Sequence, residues 1–237
     1  MDPILNAAAR ALAAGDVFGA LNRVALRDDA PALALRGISL ARMGDLGLAK
    51  RLLRRAASSF GPGDAVSRAR CVVAEAEIAL ASRELAWNSR GLESAWAVLE
   101  RGGDRVNASH ARMLDVRRWL LLGRLTEAEQ GLGVLDARAL SPPLKALREL
   151  VLAGIAMRRL QGKVAAAALA RAAAAARYSG IAALMAEVDA AAAILDRPMA
   201  RLISRGKECP LNLGGVDKIL DSGLLLVDAC RFALRGR

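Results

Sequence analysis

The residue types that most often carry catalysis are scarce in this chain, and their spacing does not assemble a reaction centre. His110 is the only histidine, and its neighbour Ser109 points in another direction on a helix. A nucleophile and its base must face each other, so His110 is interpreted as an ordinary residue near the start of a helix. Glu75 and Glu77 lie two positions apart and also face different ways, so we expect no acid–base pair.

Three cysteines, Cys71, Cys209 and Cys230, are widely separated in the chain. They form no CxxC pair and no Cys–His spacing of the kind that indicates a disulfide framework or a zinc site. A redox-sensing role for the Cys230 thiol is left open. Gly131 and Gly133 lie within a helical pattern and lack the strand–turn–helix context of a phosphate-binding loop. The sequence therefore predicts no enzyme, no metal site and no cofactor.

The elements that must position any binding residues are indicated by a recurring pair, a glycine followed five residues later by an alanine. Each pair stands between two stretches with helical apolar periodicity, and residues 33–56 are the clearest copy. The pattern predicts a helix, a turn at the glycine and a second helix whose small residue lets the two helices approach closely. The copies are Gly15…Ala20, Gly44…Ala49, Gly123…Ala128 and Gly162…Ala167.

This pattern resembles the tetratricopeptide repeat (TPR). In that family a small and a larger apolar residue in the first helix, a turn glycine and a small residue in the second helix follow in order. The residues that fit those roles here are Gly37, Leu40, Gly44, Ala49, Leu53 and Ala56. The other copies are weaker, and a hairpin at about residues 64–101 has Ala95 as its packing alanine and no turn glycine. The resemblance covers about residues 3–178, and an ordinary alanine-rich helical bundle is the alternative.

The composition favours helices that pack closely. Hydrophobic residues make up 54% of the chain and aromatic residues only 3%, and much of the hydrophobic content is alanine, which has the highest helix propensity. The chain has no run of 18 apolar residues that would predict a membrane helix. It also lacks the basic segment before an apolar core that begins a secretory signal. We therefore expect a cytoplasmic protein with no membrane partner.

The predicted fold is all-α: a superhelical array of about five TPR-like hairpins with a short mixed α/β extension at the C-terminal end. The hairpins end near residues 27, 60, 101, 137 and 178, and a further helix at about 181–195 closes the array. Two domains are predicted, 3–195 and 196–237. In the second, residues 217–220 predict a short helix and residues 224–230 a buried strand. Residues 200–203 are the candidate pairing partner of that strand.

The C-terminal end also resembles, more weakly, the linker before a winged helix-turn-helix in bacterial transcription regulators. The residues that carry this resemblance are Pro210 to Leu213, the short helix that ends before Ser222-Gly223, and Val227 to Arg231. The resemblance implies a regulatory, sensor-like part of such a regulator. Nucleic-acid binding would then be supplied by a module outside this chain.

The net charge is +11, from 35 basic and 24 acidic residues, and 30 of the basic residues are arginine. A basic protein favours nucleic acid or other polyanions as partners, whereas an excess of arginine and alanine is also typical of a GC-rich genome. Arginines recur near the hairpin turns. They form either solvated helix faces or an anion-binding groove. The clusters are Arg51/Arg54/Arg55, Arg117/Arg118/Arg124 and Arg158/Arg159/Lys163.

The TPR resemblance implies a binding surface, because in that family the first helix of each hairpin lines the concave side. The concave positions lie about two, six, ten and thirteen residues before the turn glycine. Counted back from Gly44, Gly123 and Gly162, they predict partner-binding residues, together with a neighbouring arginine in the last hairpin. These residues are Ile38, Arg42, His110, Met113, Arg117, Leu121, Glu149 and Arg159.

This surface suits a protein, peptide or small ligand that carries a carboxylate on an apolar body, since arginine binds carboxylates through two hydrogen bonds. The alternative is that the apolar positions only pack against the next hairpin. Two other functions are left open: a scaffold or adaptor with no DNA link, and direct nucleic-acid binding through the basic face. A homo-oligomer is also left open.

Overall fold

The computed structural model describes residues 2–87, 89–229 and 232–235. The described residues are 71% helical, with 12 helices and a few short antiparallel strands at the C-terminal end. This confirms the predicted helical class and the mixed character of the extension. The chain divides into two compact units, Met1–Leu122 and Gly123–Arg237. The predicted division into 3–195 and 196–237 does not coincide with this one and stays a prediction.

The first unit holds seven α-helices within its described residues, and consecutive helices pack against one another. They are α1 (Pro3–Ala13), α2 (Val17–Val24), α3 (Ala30–Arg42), α4 (Leu46–Ser59), α5 (Ala65–Ala81), α6 (Ser89–Arg101) and α7 (Arg105–Leu121), with a 3₁₀ turn at Pro62–Asp64.

The second unit begins with four helices and ends in two hairpins on either side of a short helix. Its elements are α8 (Leu125–Val134), α9 (Pro142–Arg158), α10 (Gly162–Ser179), α11 (Ala182–Ile194), β1 (Ala200–Ser204), β2 (Lys207–Leu211), α12 (Leu213–Asp221), β3 (Leu226–Asp228) and β4 (Ala233–Arg235).

Three of the predicted turn glycines are confirmed, because Gly15, Gly44 and Gly123 adopt the positive φ angles that favour glycine. At Gly44 the next residue, Asp45, donates its N–H to the carbonyl of Leu40. Its carboxylate accepts from the N–H of Leu48, so one residue closes the first helix and caps the second. The alanines five positions after these glycines, Ala20, Ala49 and Ala128, are fully buried as predicted.

The close approach of α3 and α4 depends on Gly37. A Cβ atom at this position would lie 2.8 Å from Leu53 Cγ and 3.2 Å from the Ala49 carbonyl oxygen. Leu53 and Ala49 are buried in the same apolar cluster, with Leu33 and Ala56. The small residues predicted for this hairpin therefore face each other across the helix contact.

The predicted turn of the last hairpin is wrong by two residues. Leu160, not Gly162, has the positive φ, at 58°. Ala165, five residues after Leu160, is therefore fully buried, whereas the predicted packing residue Ala167 is exposed. Gly162 is the buried first residue of α10, where a Cβ would lie 2.5 Å from Asp217 Oδ2.

The predicted pairing in the C-terminal extension is also wrong. Residues 200–203 pair with β2, and the turn between β1 and β2 contains Arg205 and Gly206, both with positive φ. Two such residues suit a tight hairpin, which pairs neighbouring strands in preference to distant ones. Strand β3 pairs with β4, and it is not buried, since Val227 is 76% exposed. Cys230 lies outside the described residues.

Helix α12, which contains the predicted short helix, packs on the start of α10. The Asp217 carboxylate accepts hydrogen bonds from the backbone N–H groups of Gly162, at 3.1 Å, and Lys163, at 2.8 Å. Leu213 is fully buried with Ala156 and Ala165. Because no side chain of α10 caps its own N-terminus, the cap is supplied by the C-terminal extension.

Candidate binding groove

The candidate site is an open groove of about 510 Å³ in the first unit, which we call the α3/α5/α7 groove. Ile38 and Arg42 reach it from α3, and His110 reaches it from α7, so three of the predicted partner-binding residues line one surface. Helix α5 lies between them. The residues that line the groove are Ile38, Ala41, Arg42, Leu46, Leu53, Arg70, Val73, Ala74, Glu77, Ile78, Ala81, Asn107 and His110.

The residues that α5 contributes to the groove could be predicted from the sequence if the turn after α5 were recognised. The turn residue after α5 is Arg83, with φ 59°. Because arginine gives no turn signal, the sequence does not mark the residue from which the concave positions of this hairpin are counted. The same count back from Arg83 yields four residues, all of which line the groove. They are Ala81, Glu77, Val73 and Arg70.

Asp104, at the N-terminus of α7, orients two polar residues of the groove, Arg70 and Asn107. Asp104 accepts hydrogen bonds from Arg70 Nε, at 2.6 Å, and from Asn107 Nδ2, at 2.8 Å. Burial opposes the ionisation of Asp104, but these hydrogen bonds outweigh it and lower the pKa of the carboxyl below its ordinary value. An ionised Asp104 therefore fixes the orientation of the Arg70 guanidinium. His110 Nε2 lies 4.0 Å from Glu77 Oε2.

Arg42 is held in place at the opposite side of the groove. Its Nη1 donates a hydrogen bond to the Leu12 carbonyl oxygen of α1, at 2.5 Å. A guanidinium has five N–H donors, so one fixed donor orients the group without exhausting it. Arg42 can therefore meet a carboxylate with little further loss of side-chain freedom.

The other predicted residues of the first unit do not form part of the groove. Met113 is fully buried, so its side chain belongs to the core and not to a binding surface. Leu121 is partly buried against the apolar cluster of α5, α6 and α7, and Arg117 is half-buried. The count along α7 therefore fails beyond His110: Met113 lies in the buried middle of the helix, and Arg117 and Leu121 do not line the groove.

The two predicted residues of the second unit form ion pairs within that unit. Glu149 is buried except for 13% of its side chain, and it accepts from Arg148 Nη1 and Arg171 Nε, both at 2.8 Å. Arg159 pairs with Glu129 at 2.6 Å. Their selection depended on the turn at Gly162, which the structure places at Leu160.

Each of the three arginine clusters has members that form ion pairs with acidic residues. The sequence pattern did not predict these pairs. On α4, Arg54 pairs with Glu75 at 2.6 Å and Arg55 with Asp28 at 3.5 Å. Near the other turns, Arg124 pairs with Glu127, Arg159 with Glu129 and Lys163 with Asp221. Much of the positive charge in these clusters is therefore compensated locally.

A buried carboxylate lies on α7 between two arginines. Asp115 is 5% exposed, and Arg112 stacks on the Trp96 ring at 4.9 Å, while Arg118 stacks on the Trp87 ring at 5.3 Å. Burial raises the pKa of Asp115 above its ordinary 3.8, and the positive charges of Arg118 and Arg112 oppose the rise. The folded protein therefore binds this proton more tightly than the unfolded chain does.

We expect the ionisation of Asp115 to make the free energy of unfolding depend on pH. Below pH 3.8 the carboxyl is neutral in both states, and its ionisation penalty develops as the pH rises from 3.8 through the raised pKa of the folded state. The wild type should therefore lose stability relative to Asp115→Asn across that window. Urea unfolding of both proteins between pH 3.5 and 7 measures the difference. A difference that stayed constant with pH would contradict the assignment.

Groups that could support metal or thiol chemistry are limited in the part of the chain that the structure describes. That part contains no group of three or more His, Cys, Asp and Glu residues that could hold a metal ion. Burial raises the pKa of the Cys71 thiol to about 11, which disfavours the reactive thiolate. Cys209 is exposed on β2. None of the helices formed by the described residues combines the length and apolarity needed to cross a membrane.

The chain matches no protein-family model, no curated protein and no solved structure.

Proposed function

We propose that the chain is a non-enzymatic, TPR-like binding module whose α3/α5/α7 groove takes a peptide or protein segment. The observation that carries the proposal is that one counting rule, applied to α3, α5 and α7, places residues of all three helices in a common groove: Ile38 and Arg42, the four residues counted on α5, and His110. That regularity is typical of repeat proteins, which build extended binding surfaces from equivalent positions. The finer architecture, a superhelical array of about five such hairpins, belongs to this proposal.

The chemistry of the groove favours a segment with apolar side chains and a carboxylate. The floor includes Ile38, Ala74 and Ile78, which offer an apolar surface along the middle of the groove. Arg42 stands at one side with donors that its bond to Leu12 leaves free. An acidic side chain or a C-terminal carboxylate could bind Arg42 through two hydrogen bonds while apolar neighbours cover the floor.

The proposed setting is the regulatory part of a bacterial transcription regulator, with DNA bound by a module outside this chain. The resemblance at the C-terminal end supports this setting. The β3/β4 hairpin adds support, because Val227 and Leu234, and Leu225 just before β3, are all more than two-thirds exposed. Apolar strands of this kind are usually covered by another protein part. A scaffold or adaptor with no DNA link would use the same groove.

The test is to select peptides from a random library displayed with free C-terminal carboxylates, and to measure the dissociation constant of the best binder for a set of variants. Arg42→Lys keeps a donor for Leu12 and loses the bidentate geometry, so we expect about tenfold weaker binding. Ala81→Phe places a ring in the groove at an exposed position and should also weaken binding.

Arg55→Ala is the matched control, since Arg55 lies on α4 and does not line the groove. It should leave the dissociation constant within about twofold. Equal binding by all four proteins, or a loss confined to Arg55→Ala, would place the interface on another surface.

A further inference from the structure

We propose that a second cleft in the first unit binds a small amphipathic acid, a carboxylate on an apolar body, with Arg83 as the residue that binds the anion. This cleft, which we call the Arg83 cleft, has a volume of about 620 Å³. That is within the range of pockets that hold small molecules. The proposal concerns a site separate from the α3/α5/α7 groove and does not depend on peptide binding.

The walls of the Arg83 cleft come from α4, α5, the connection between α5 and α6, and the start of α6. Lys50 and Arg54 contribute from α4, and Arg83 and Trp87 contribute from the connection. The apolar surface comes from small and branched side chains, including Val72 and Leu92. The cleft therefore combines an apolar lining with cations at its edge.

The charges of the cleft favour an anion. Arg54 pairs with Glu75 at 2.6 Å, and Lys50 forms an ion pair with Glu84. Among the residues that the structure describes, the Arg83 side chain has no hydrogen-bond or ion-pair partner. One positive charge is thus left over at the cleft, next to an apolar lining. A carboxylate bound by Arg83, with its apolar body on that lining, would complement both features.

The backbone at Arg83 is strained, which gives a variant at this position a second readout. Its φ of 59° lies in the left-handed region, where Gly15, Gly44 and Gly123 stand in the equivalent turns. A residue with a Cβ costs about 1–2 kcal/mol in this conformation relative to glycine. Leu160 and Arg205 share this conformation, so the anion site is assigned from the lining and charges of the cleft, and the strain at Arg83 serves as a check on the variant that removes it.

The connection that carries Arg83 and Trp87 is held in place from α7. Arg118 Nε donates a hydrogen bond to the Leu85 carbonyl oxygen at 2.7 Å, and its guanidinium stacks on the Trp87 ring. This arrangement fixes the wall of the cleft before any ligand binds. Binding to a preformed site costs less free energy, because its residues are already ordered.

The test uses octanoate as the probe, with octylamine and octanol as the cation and the neutral alcohol of equal chain length. Saturation-transfer NMR on the full chain reports each dissociation constant. We expect octanoate to bind at least fivefold more tightly than the other two. Arg83→Gly should weaken octanoate at least fivefold and at the same time raise the thermal unfolding midpoint, since it removes both the cation and the strain.

Two glycine variants separate the cleft from other apolar surfaces. A Cβ built on Gly91, which lines the cleft, or on Gly133, which lies on α8, meets no atom within 4 Å. Gly91→Phe should therefore fill the cleft and abolish octanoate binding, whereas Gly133→Phe should leave it unchanged. Equal binding of the three probes, octanoate binding unaffected by Gly91→Phe, or unchanged affinity in Arg83→Gly would each overturn the proposal.

Discussion

Leu53→Ala is expected to lower the free energy of unfolding by about 2–5 kcal/mol. Leu53 is buried between α3 and α4, and its Cγ fills the space left open by the missing side chain of Gly37. The loss combines the transfer of the removed carbon atoms with the cavity that they leave. Urea unfolding at constant pH measures the change, and a loss below 1 kcal/mol would show that the hairpin collapses around the smaller residue.

A substitution of Gly37 tests the same contact between α3 and α4 from the α3 side. In the wild type, Gly37→Ala should destabilise, because the new Cβ would lie 2.8 Å from Leu53 Cγ. The Leu53→Ala background removes the contact with Leu53 and leaves only the approach to the Ala49 carbonyl oxygen, at 3.2 Å, so the two changes should couple by about 0.5–3 kcal/mol. Gly91→Ala is the control: its Cβ meets no atom within 4 Å, so it should stabilise both backgrounds equally.

The helices and most turns could be predicted because their signals are local. A glycine at a helix end predicts a left-handed residue, since glycine adopts that conformation without a steric penalty. Arg83 and Leu160 adopt the same conformation without being glycine. No residue type signals such a turn, so the turn of the third hairpin was missed and that of the last was displaced.

The residues of the candidate groove could also be predicted only where a glycine marks the turn. Ile38, Arg42 and His110 were found because each lies at a fixed distance from a turn that glycine marks. Glu77 and Arg70 obey the same spacing from Arg83, and only the backbone angle of that residue reveals it. The acidic partners of the arginine clusters come from neighbouring elements, which periodicity along one helix does not encode.

The position of the turn in the last hairpin gives the second large effect, because two alanines in one helix turn should differ strongly in their response to the same substitution. Ala165 is fully buried beside Ala156 and Leu213, so Ala165→Leu should overpack the contact and cost about 1–3 kcal/mol. Ala167 is exposed, and Ala167→Leu should change the free energy of unfolding by less than about 0.5 kcal/mol.

Both variants add the same side chain to α10, so their helix propensities cancel in the comparison. Parallel urea unfolding curves with a common slope measure the difference between them. If Ala167→Leu proved the more damaging of the two, the turn would lie at Gly162 after all. The left-handed Leu160 would then not set the packing of the hairpin.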